Sequence, residues 1–417
     1  MTQDRTHSIA PPGAGVAALL LLPVLAAGAA RPSGGERQVQ AAEAPGERAV
    51  ISEVQEELAG TEGLDAESIT VTLEDGMVAL SGEVENILAH DRAIRAAATV
   101  RGVRAIDDNL TVRPSIRSDT QIERDVATAL ALDPATEYWE INALVSDGFV
   151  TLQGAVESLA EKSLATRVAK SVRGVRGVEN EIMIDLPLDR SDEQVAHDVT
   201  ELLRWNTTVD AETIEIEVDD AIVTLSGHVD SVYEKRQAGR LAEVTGVREV
   251  DLSDLDVRWT GDDGDAGLAN RTAEEVQQAV RMALSLDPRI EAFKPDIEVD
   301  EGVATLTGTV DNLEAKHVAG DAARDTLGVK AVRNQLTVEP REPIADEELE
   351  ERVSNALQRS PYVSNVEIDV TAVDGEIYLE GEADSWFEHY AAGNAASRIA
   401  GVTEVHNNVD VGYGRIS

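Results

Sequence analysis

The sequence predicts an α+β fold of five tandem αββαβ domains, each a small three-stranded mixed sheet covered by two helices. Three observations carry that prediction. A glycine closing an apolar strand, as in "LSG", recurs at a nearly constant spacing as Gly82, Gly154, Gly227, Gly308 and Gly381, with one longer interval that absorbs a linker. A helical period and two alternating stretches precede each glycine. An alanine-rich helical stretch follows it and ends at a second glycine. Self-similarity at a fixed period is the mark of a repeat architecture.

Each element has its own reason. The opening helices read from apolar residues on one face: Val50/Val54/Leu58, Ile122/Val126/Leu130, Val195/Val199/Leu202, Val276/Val280/Leu284 and Leu349/Val353/Leu357. Ser118 with Gln121, Ser191 with Gln194 and Thr272 with Glu275 form capping boxes that satisfy orphan backbone donors. Alternation then marks a first strand, as in Ile69/Val71/Leu73 and Ile214/Ile216/Val218. Asp75-Gly76, Asp147-Gly148, Glu301-Gly302 and Asp374-Gly375 supply hairpin turns, because both central positions tolerate positive φ. The third copy has Asp220-Ala221, so its turn is expected to differ or to be strained. A second strand runs into the anchor glycine, which marks a bulge or a close backbone approach. Asn86, Ser158, Ser231, Asn312 and Ser385 cap a second helix, three of them with a glutamate at the capping-box position (Glu161, Glu234, Glu388). Gly102, Gly174, Gly246, Gly328 and Gly401 end it, and a valine after each begins the third strand.

These signals place the domains at 47–113, 118–186, 191–258, 272–339 and 345–412, with an acidic linker at 259–271. "GDDGDAG" at 261–267 lacks the liganding register and terminal glutamate of an EF-hand, so a solvated linker is expected there. The apolar run Gly13–Ala30 within residues 1–30 reads as a secretory signal peptide ending at Ala27-Gly28-Ala29, or as a retained membrane anchor; 31–46 is a flexible leader. Either way the protein is expected to be periplasmic or otherwise exported. The chain has no cysteine, which excludes disulfides, thiolate metal sites and lipoprotein processing at a cysteine. Seventy-nine acids against 36 bases give a formal charge of −43, which opposes nucleic acid and any uniform attraction to anionic membranes.

The strand–glycine and glycine–valine motifs recur as "MVALSGEV…RGVRAI", "FVTLQGAV…RGVRGV", "IVTLSGHV…TGVREV", "VATLTGTV…LGVKAV" and "EIYLEGEA…AGVTEV". In these features the sequence resembles the BON domain family over residues 47 to 412. The resemblance implies αββαβ folds in exported bacterial proteins, affinity for phospholipid surfaces, and roles in osmotic stress and envelope assemblies. It implies no enzymatic activity. The acidity of the chain departs from the family and argues against binding bulk anionic lipid.

Two sets of recurring cations are candidate anion or lipid sites. His90, Lys162, Lys235, Lys316 and His389 stand eight residues past each anchor, on the face of the second helix that carries the alanine pairs Ala93/Ala97, Ala165/Ala169, Ala238/Ala242, Ala319/Ala323 and Ala392/Ala396. The alanines read as close helix packing. For the cations one account is snorkelling, with the stem covering the core and the head in water; the other is contact with an anion such as a lipid phosphate. Arg104, Arg176, Arg248 and Lys330 follow the closing glycine, with Thr403 breaking the series. About 14 residues, roughly 20 Å of helix, separate the two sets within one unit; whether stacked units juxtapose them is not written in the sequence.

The last copy groups Trp386, Phe387 and Tyr390. Trp386 holds the position of Ile87 and Leu313 and is expected to be buried. Phe387 and Tyr390 form either core packing or an interfacial, partner-facing ridge. No motif for catalysis, metal or cofactor binding appears. The sequence therefore reads as a non-enzymatic envelope protein, with no cofactor or small-molecule substrate, that contacts phospholipid surfaces or envelope proteins. The alternative is a periplasmic holdase or protein-binding scaffold.

Overall fold

Two helices and a small sheet recur five times along the chain. The computed structural model describes residues 46–412 except 115, 134–135, 137–139, 187–189, 259–270, 288, 291–292, 342–343 and 364–366. The expected signal or anchor segment, the leader up to residue 45 and the acidic linker up to residue 270 lie outside the described residues. The helices are α1 (Glu47–Gly60), α2 (Ile87–Thr99), α3 (Asp119–Leu132), α4 (Leu159–Lys170), α5 (Asp192–Trp205), α6 (Val232–Leu241), α7 (Ala273–Ser285), α8 (Leu313–Arg324), α9 (Asp346–Arg359) and α10 (Trp386–Ser397). Odd numbers are the first helix of a unit and even numbers the second. Among the described residues no helix is long and apolar enough to cross a membrane.

The apolar stripes of the first helices are buried as the spacing predicts, with one correction. In α5 the third buried residue is Leu203, at i+8 from Val195, and Leu202 is only half-buried. All three capping boxes form, at Ser118, Ser191 and Thr272. The glutamates of the second helices act one residue further back than a capping box requires. Glu161, Glu234 and Glu388 accept the backbone N–H of Glu157, Asp230 and Asp384, the residues preceding each cap.

In every unit the first two strands pair antiparallel and the third returns parallel to the second, so the second strand is central. The hairpin turns hold positive φ at both central residues, and the third is no exception: Asp220 has φ 53° and Ala221 φ 63°. Its turn therefore has the common geometry and carries the strain, since an L-residue pays roughly 1 kcal/mol there. Asp192 at the start of α5 accepts both turn N–H groups, and Asp119 and Asp346 serve the turns of units 2 and 5 the same way. Four of the five anchor glycines, all but Gly308, meet the backbone at the start of the first strand closely. A Cβ on Gly82 would collide with the Ser68 carbonyl oxygen, and one on Gly227 with that of Thr213.

The closing glycines do not cap their helices directly. They lie three to five residues beyond, at φ 92–98°, and each third strand begins two residues past the valine rather than at it. Their role is clearance: a Cβ on Gly328 would strike Val276 at 2.7 Å, at the start of α7.

All ten paired alanines are fully buried, which is the close helix packing the pattern predicts. A unit of this size has a marginal core alone. Units 1, 2 and 3 accordingly share one continuous apolar core, while units 4 and 5 centre on cores of their own. Backbone hydrogen bonds tie distant units together. The N–H of Arg173 in unit 2 donates to the terminal carbonyl of α9 (Arg359, 2.7 Å), and that of Ala400 in unit 5 donates to the terminal carbonyl of α3 (Leu132, 3.4 Å). Leu327 of unit 4 donates to Trp205 at the end of α5 (2.8 Å). Helix-end carbonyls that have no partner within their own helix are satisfied by another unit.

Candidate functional site

The five cationic positions of the second helices are half-buried. Three of the heads are engaged by the protein. The Lys235 ammonium donates to the Leu255 carbonyl at 2.6 Å, and the His389 ring meets the Val409 carbonyl at 2.7 Å. Both carbonyls hold the same position of the third strand when the copies are aligned on the anchor glycine. His90 turns instead to carboxylates, with Nε2 2.9 Å from Asp108 and Nδ1 3.3 Å from Asp91. Lys162 and Lys316 have no ion pair among the described residues. Their backbone carbonyls accept the side-chain amides of Asn180 and Asn334 (2.8 and 2.6 Å), as that of His389 accepts Asn407 (2.7 Å).

The sequence reading misses that asparagine series. It occupies one aligned position of the third strand, ties that strand to the second helix, and is recoverable only by aligning the copies past the closing glycine. In unit 1 the position is Asp108, which cannot donate to a carbonyl and takes the His90 imidazole as its partner.

The second cationic series lies across the hairpin turns. Arg104 and Lys330 each donate their backbone N–H to the turn glycine, Gly76 or Gly302, at 2.7 Å. The Arg104 stem lies so close over Gly76 that a Cβ there would meet it at 2.6 Å. The Arg176 head reaches the Asp147 carbonyl (3.1 Å) and the Val112 carbonyl of unit 1 (3.2 Å). It also stands 5.2 Å from the Phe149 ring. Within one unit the two series are at opposite ends of the second helix.

Packing of units 2 and 3 joins what one unit separates. Lys162 of α4 and Arg248 of unit 3 line one shallow groove of about 550 Å³, together with Arg236 and Arg240 of α6. Four cations there face two carboxylates, Glu243 and Glu249. Burial pushes the Glu243 carboxyl up, against the opposing effects of a hydrogen bond from Ser163 and the charge of Arg167. Leu159, Val250 and Leu252 give the groove an apolar floor. In a chain of charge −43 this is a local reversal of sign.

The aromatic residues of unit 5 divide differently from the expectation. Trp386 is 53% exposed, against the burial expected of it, and Tyr390 is 60% exposed. The equivalent Leu313 is buried because unit 5 packs over it, whereas Trp386 is covered only in part, by its own His389 (5.3 Å) and Tyr390 (6.1 Å). Phe387 turns the other way, meeting Tyr362 edge-on at 4.7 Å and Arg92 of unit 1 at 4.0 Å. The outward pair is therefore Trp386 with Tyr390, and Phe387 belongs to a seam between units.

A string of αββαβ modules that supports its cores and gathers its cations by packing module on module is a tandem-repeat protein whose grooves lie between repeats. The BON domain family matches it at residues 47–114, 118–185, 191–258, 272–340 and 345–413, and the chain belongs to that family. It is 28% identical over 141 residues to osmotically-inducible protein Y of Escherichia coli, covering 32% of this chain and 70% of that protein. It is 30% identical over 137 residues to the outer membrane lipoprotein DolP of Haemophilus influenzae, again covering 32% and 70%. Among solved structures, CdsD, a structural protein of the type III secretion system of Chlamydia trachomatis, is 15% identical. That match covers 49% of this chain and 90% of CdsD with a TM-score of 0.14.

Proposed function

We propose that this chain is a non-enzymatic envelope protein that binds phospholipid headgroups through the groove between units 2 and 3, as part of osmotic or envelope stress protection. The observation that carries this reading is the convergence of Lys162, Arg236, Arg240 and Arg248 on one groove of an otherwise acidic molecule. A phosphate is the ligand such a groove suits: guanidinium groups offer paired donors and lysine a point charge. The names of the two relatives, one osmotically inducible and one an outer membrane lipoprotein, support an envelope setting. Two families of positions, far apart in one copy and adjacent between copies, also give a reason for repetition. Unit 3 supplies three of the four cations and unit 2 the fourth.

Co-sedimentation with anionic and zwitterionic vesicles tests this. The double variant Lys162→Gln/Arg248→Gln is expected to lose about tenfold in affinity for anionic vesicles, a loss of roughly 1.4 kcal/mol, and to show a shallower salt dependence. Equal pelleting of parent and variant removes the groove from the function. The second reading, a protein-binding scaffold or holdase, rests on the outward Trp386–Tyr390 pair. It takes over if vesicles pellet neither protein and Trp386→Ala/Tyr390→Ala abolishes suppression of client aggregation.

A further inference from the structure

The open face of the unit 5 sheet differs from that of the other four. Where the central strand enters beside the third, the paired residues are Met77 and Ala105 in unit 1, Phe149 and Gly177 in unit 2, Ile222 and Glu249 in unit 3, and Val303 and Ala331 in unit 4. In unit 5 they are Glu376 and Glu404. The next pair on that face is Tyr378 and His406. Ile377 and Leu379, which alternate with them, are fully buried, so Glu376 and Tyr378 point away from the helices.

Two carboxylates directly opposite on neighbouring strands repel each other, and a sheet gains from such a pair only when a cation stands between them. His406 is placed there. Its Nε2 lies 3.1 Å from Glu376 Oε2, and one ligand atom from each of Glu376, Glu404 and His406 lies within 4.8 Å of the others. Tyr378 fixes the arrangement from beside it. Its ring stacks on the imidazole at 4.5 Å and 19°, and its hydroxyl donates to Glu376 Oε2 at 3.0 Å. Oriented imidazole, oriented carboxylate and a second carboxylate are the ingredients of a metal site with its supporting shell.

We propose that Glu376, Glu404 and His406 bind a divalent transition cation of the Zn²⁺ type. One imidazole and two carboxylates are three protein ligands, which leaves a fourth position for water or for a group from elsewhere. Bonds of about 2.0–2.1 Å in a tetrahedral set bring ligand atoms to about 3.3 Å from one another, a contraction that side-chain rotation supplies. The cation takes the place of the contact between Nε2 and Glu376 Oε2. The imidazole separates this site from the diffuse attraction of an acidic surface for Mg²⁺, which prefers oxygen and keeps its waters.

Isothermal titration of the whole chain with Zn²⁺, in millimolar Mg²⁺ to occupy the acidic surface, is the test. One Zn²⁺ is expected to bind the parent. Glu404→Gln and His406→Gln are each expected to weaken that event by at least about tenfold. Glu404→Gln leaves the His406–Glu376–Tyr378 contacts in place, so its folding is not in question, and far-ultraviolet circular dichroism verifies this for both variants. An isotherm unchanged in both variants overturns the proposal, as does binding abolished by Mg²⁺. The measurement contains no lipid and stands apart from the headgroup reading.

Discussion

Asp91 and Arg92 are neighbours on α2, and they enter two different kinds of seam. Asp91 faces units 2 and 3. It accepts the Lys170 ammonium of α4 at 2.8 and 3.0 Å, with His90 and Asp108 completing the cluster. Burial pushes its carboxyl up, but hydrogen bonds from His90 and Lys170 outweigh that and hold it below its ordinary value. Arg92 faces unit 5. Its guanidinium lies over Phe387 (4.0 Å) and Tyr362 (4.7 Å) and donates to the Glu62 carbonyl at 2.7 Å. Burial lowers the Arg92 pKa. One seam is held by opposite charges, the other by a cation on aromatic faces. An ion pair is screened by salt, whereas ring burial is not. A repeat protein that joins its modules by both means keeps one kind of contact when ionic strength rises.

Replacing Phe387 sharpens that contrast most. Phe387→Ala removes the ring under Arg92 and the partner of Tyr362, and is expected to cost about 2–3 kcal/mol in urea unfolding. The loss is expected to be the same at low and high salt. A cost below about 0.5 kcal/mol, the scale of an ordinary surface substitution, would show that unit 5 does not lean on unit 1. Lys170→Met probes the other seam and leaves Asp91 half-buried with only His90 and the charge of Arg236 to balance it. About 1–2 kcal/mol is expected at low salt, shrinking as salt is added. A loss that salt does not change would make the two seams alike.

Local structure was legible because five copies repeat it. The anchor glycines, the caps and the alanine pairs each follow from a short-range rule, and each copy checks the others. The seams were not legible, since Asp91 and Lys170 are 79 residues apart and Arg92 and Phe387 are in the first and last units. Trp386 shows where the alignment of copies misleads. Its position matches Ile87 and Leu313, but Leu313 is covered by unit 5, whereas among the described residues Trp386 stays half exposed. Lys162 and Arg248 were nameable from their repeat positions, whereas Arg236 and Arg240, and the meeting of all four, required the packing of units 2 and 3. Glu376, Glu404 and His406 escaped notice for a related reason: strand register, not spacing along the chain, brings them together.

The ion-paired seam also carries a pH dependence that the aromatic seam lacks. His90 has a raised pKa, chiefly through its hydrogen bond with Asp91 and further through the charge of Asp108, against burial and Lys170, which lower it. A raised folded-state pKa means that the contribution is complete below the unfolded value of about 6.5 and is lost as pH rises through the folded value. Asp91 has the opposite sign: its contribution is present above its ordinary value and is lost as pH falls through the lower folded one. The seam is therefore strongest between roughly pH 4 and 6.5. From there to pH 8 the parent is expected to lose under about 1 kcal/mol relative to His90→Gln, read from urea midpoints across that range. Parallel pH profiles for parent and variant would remove His90 from the seam's energetics and leave the Lys170 ion pair to hold Asp91.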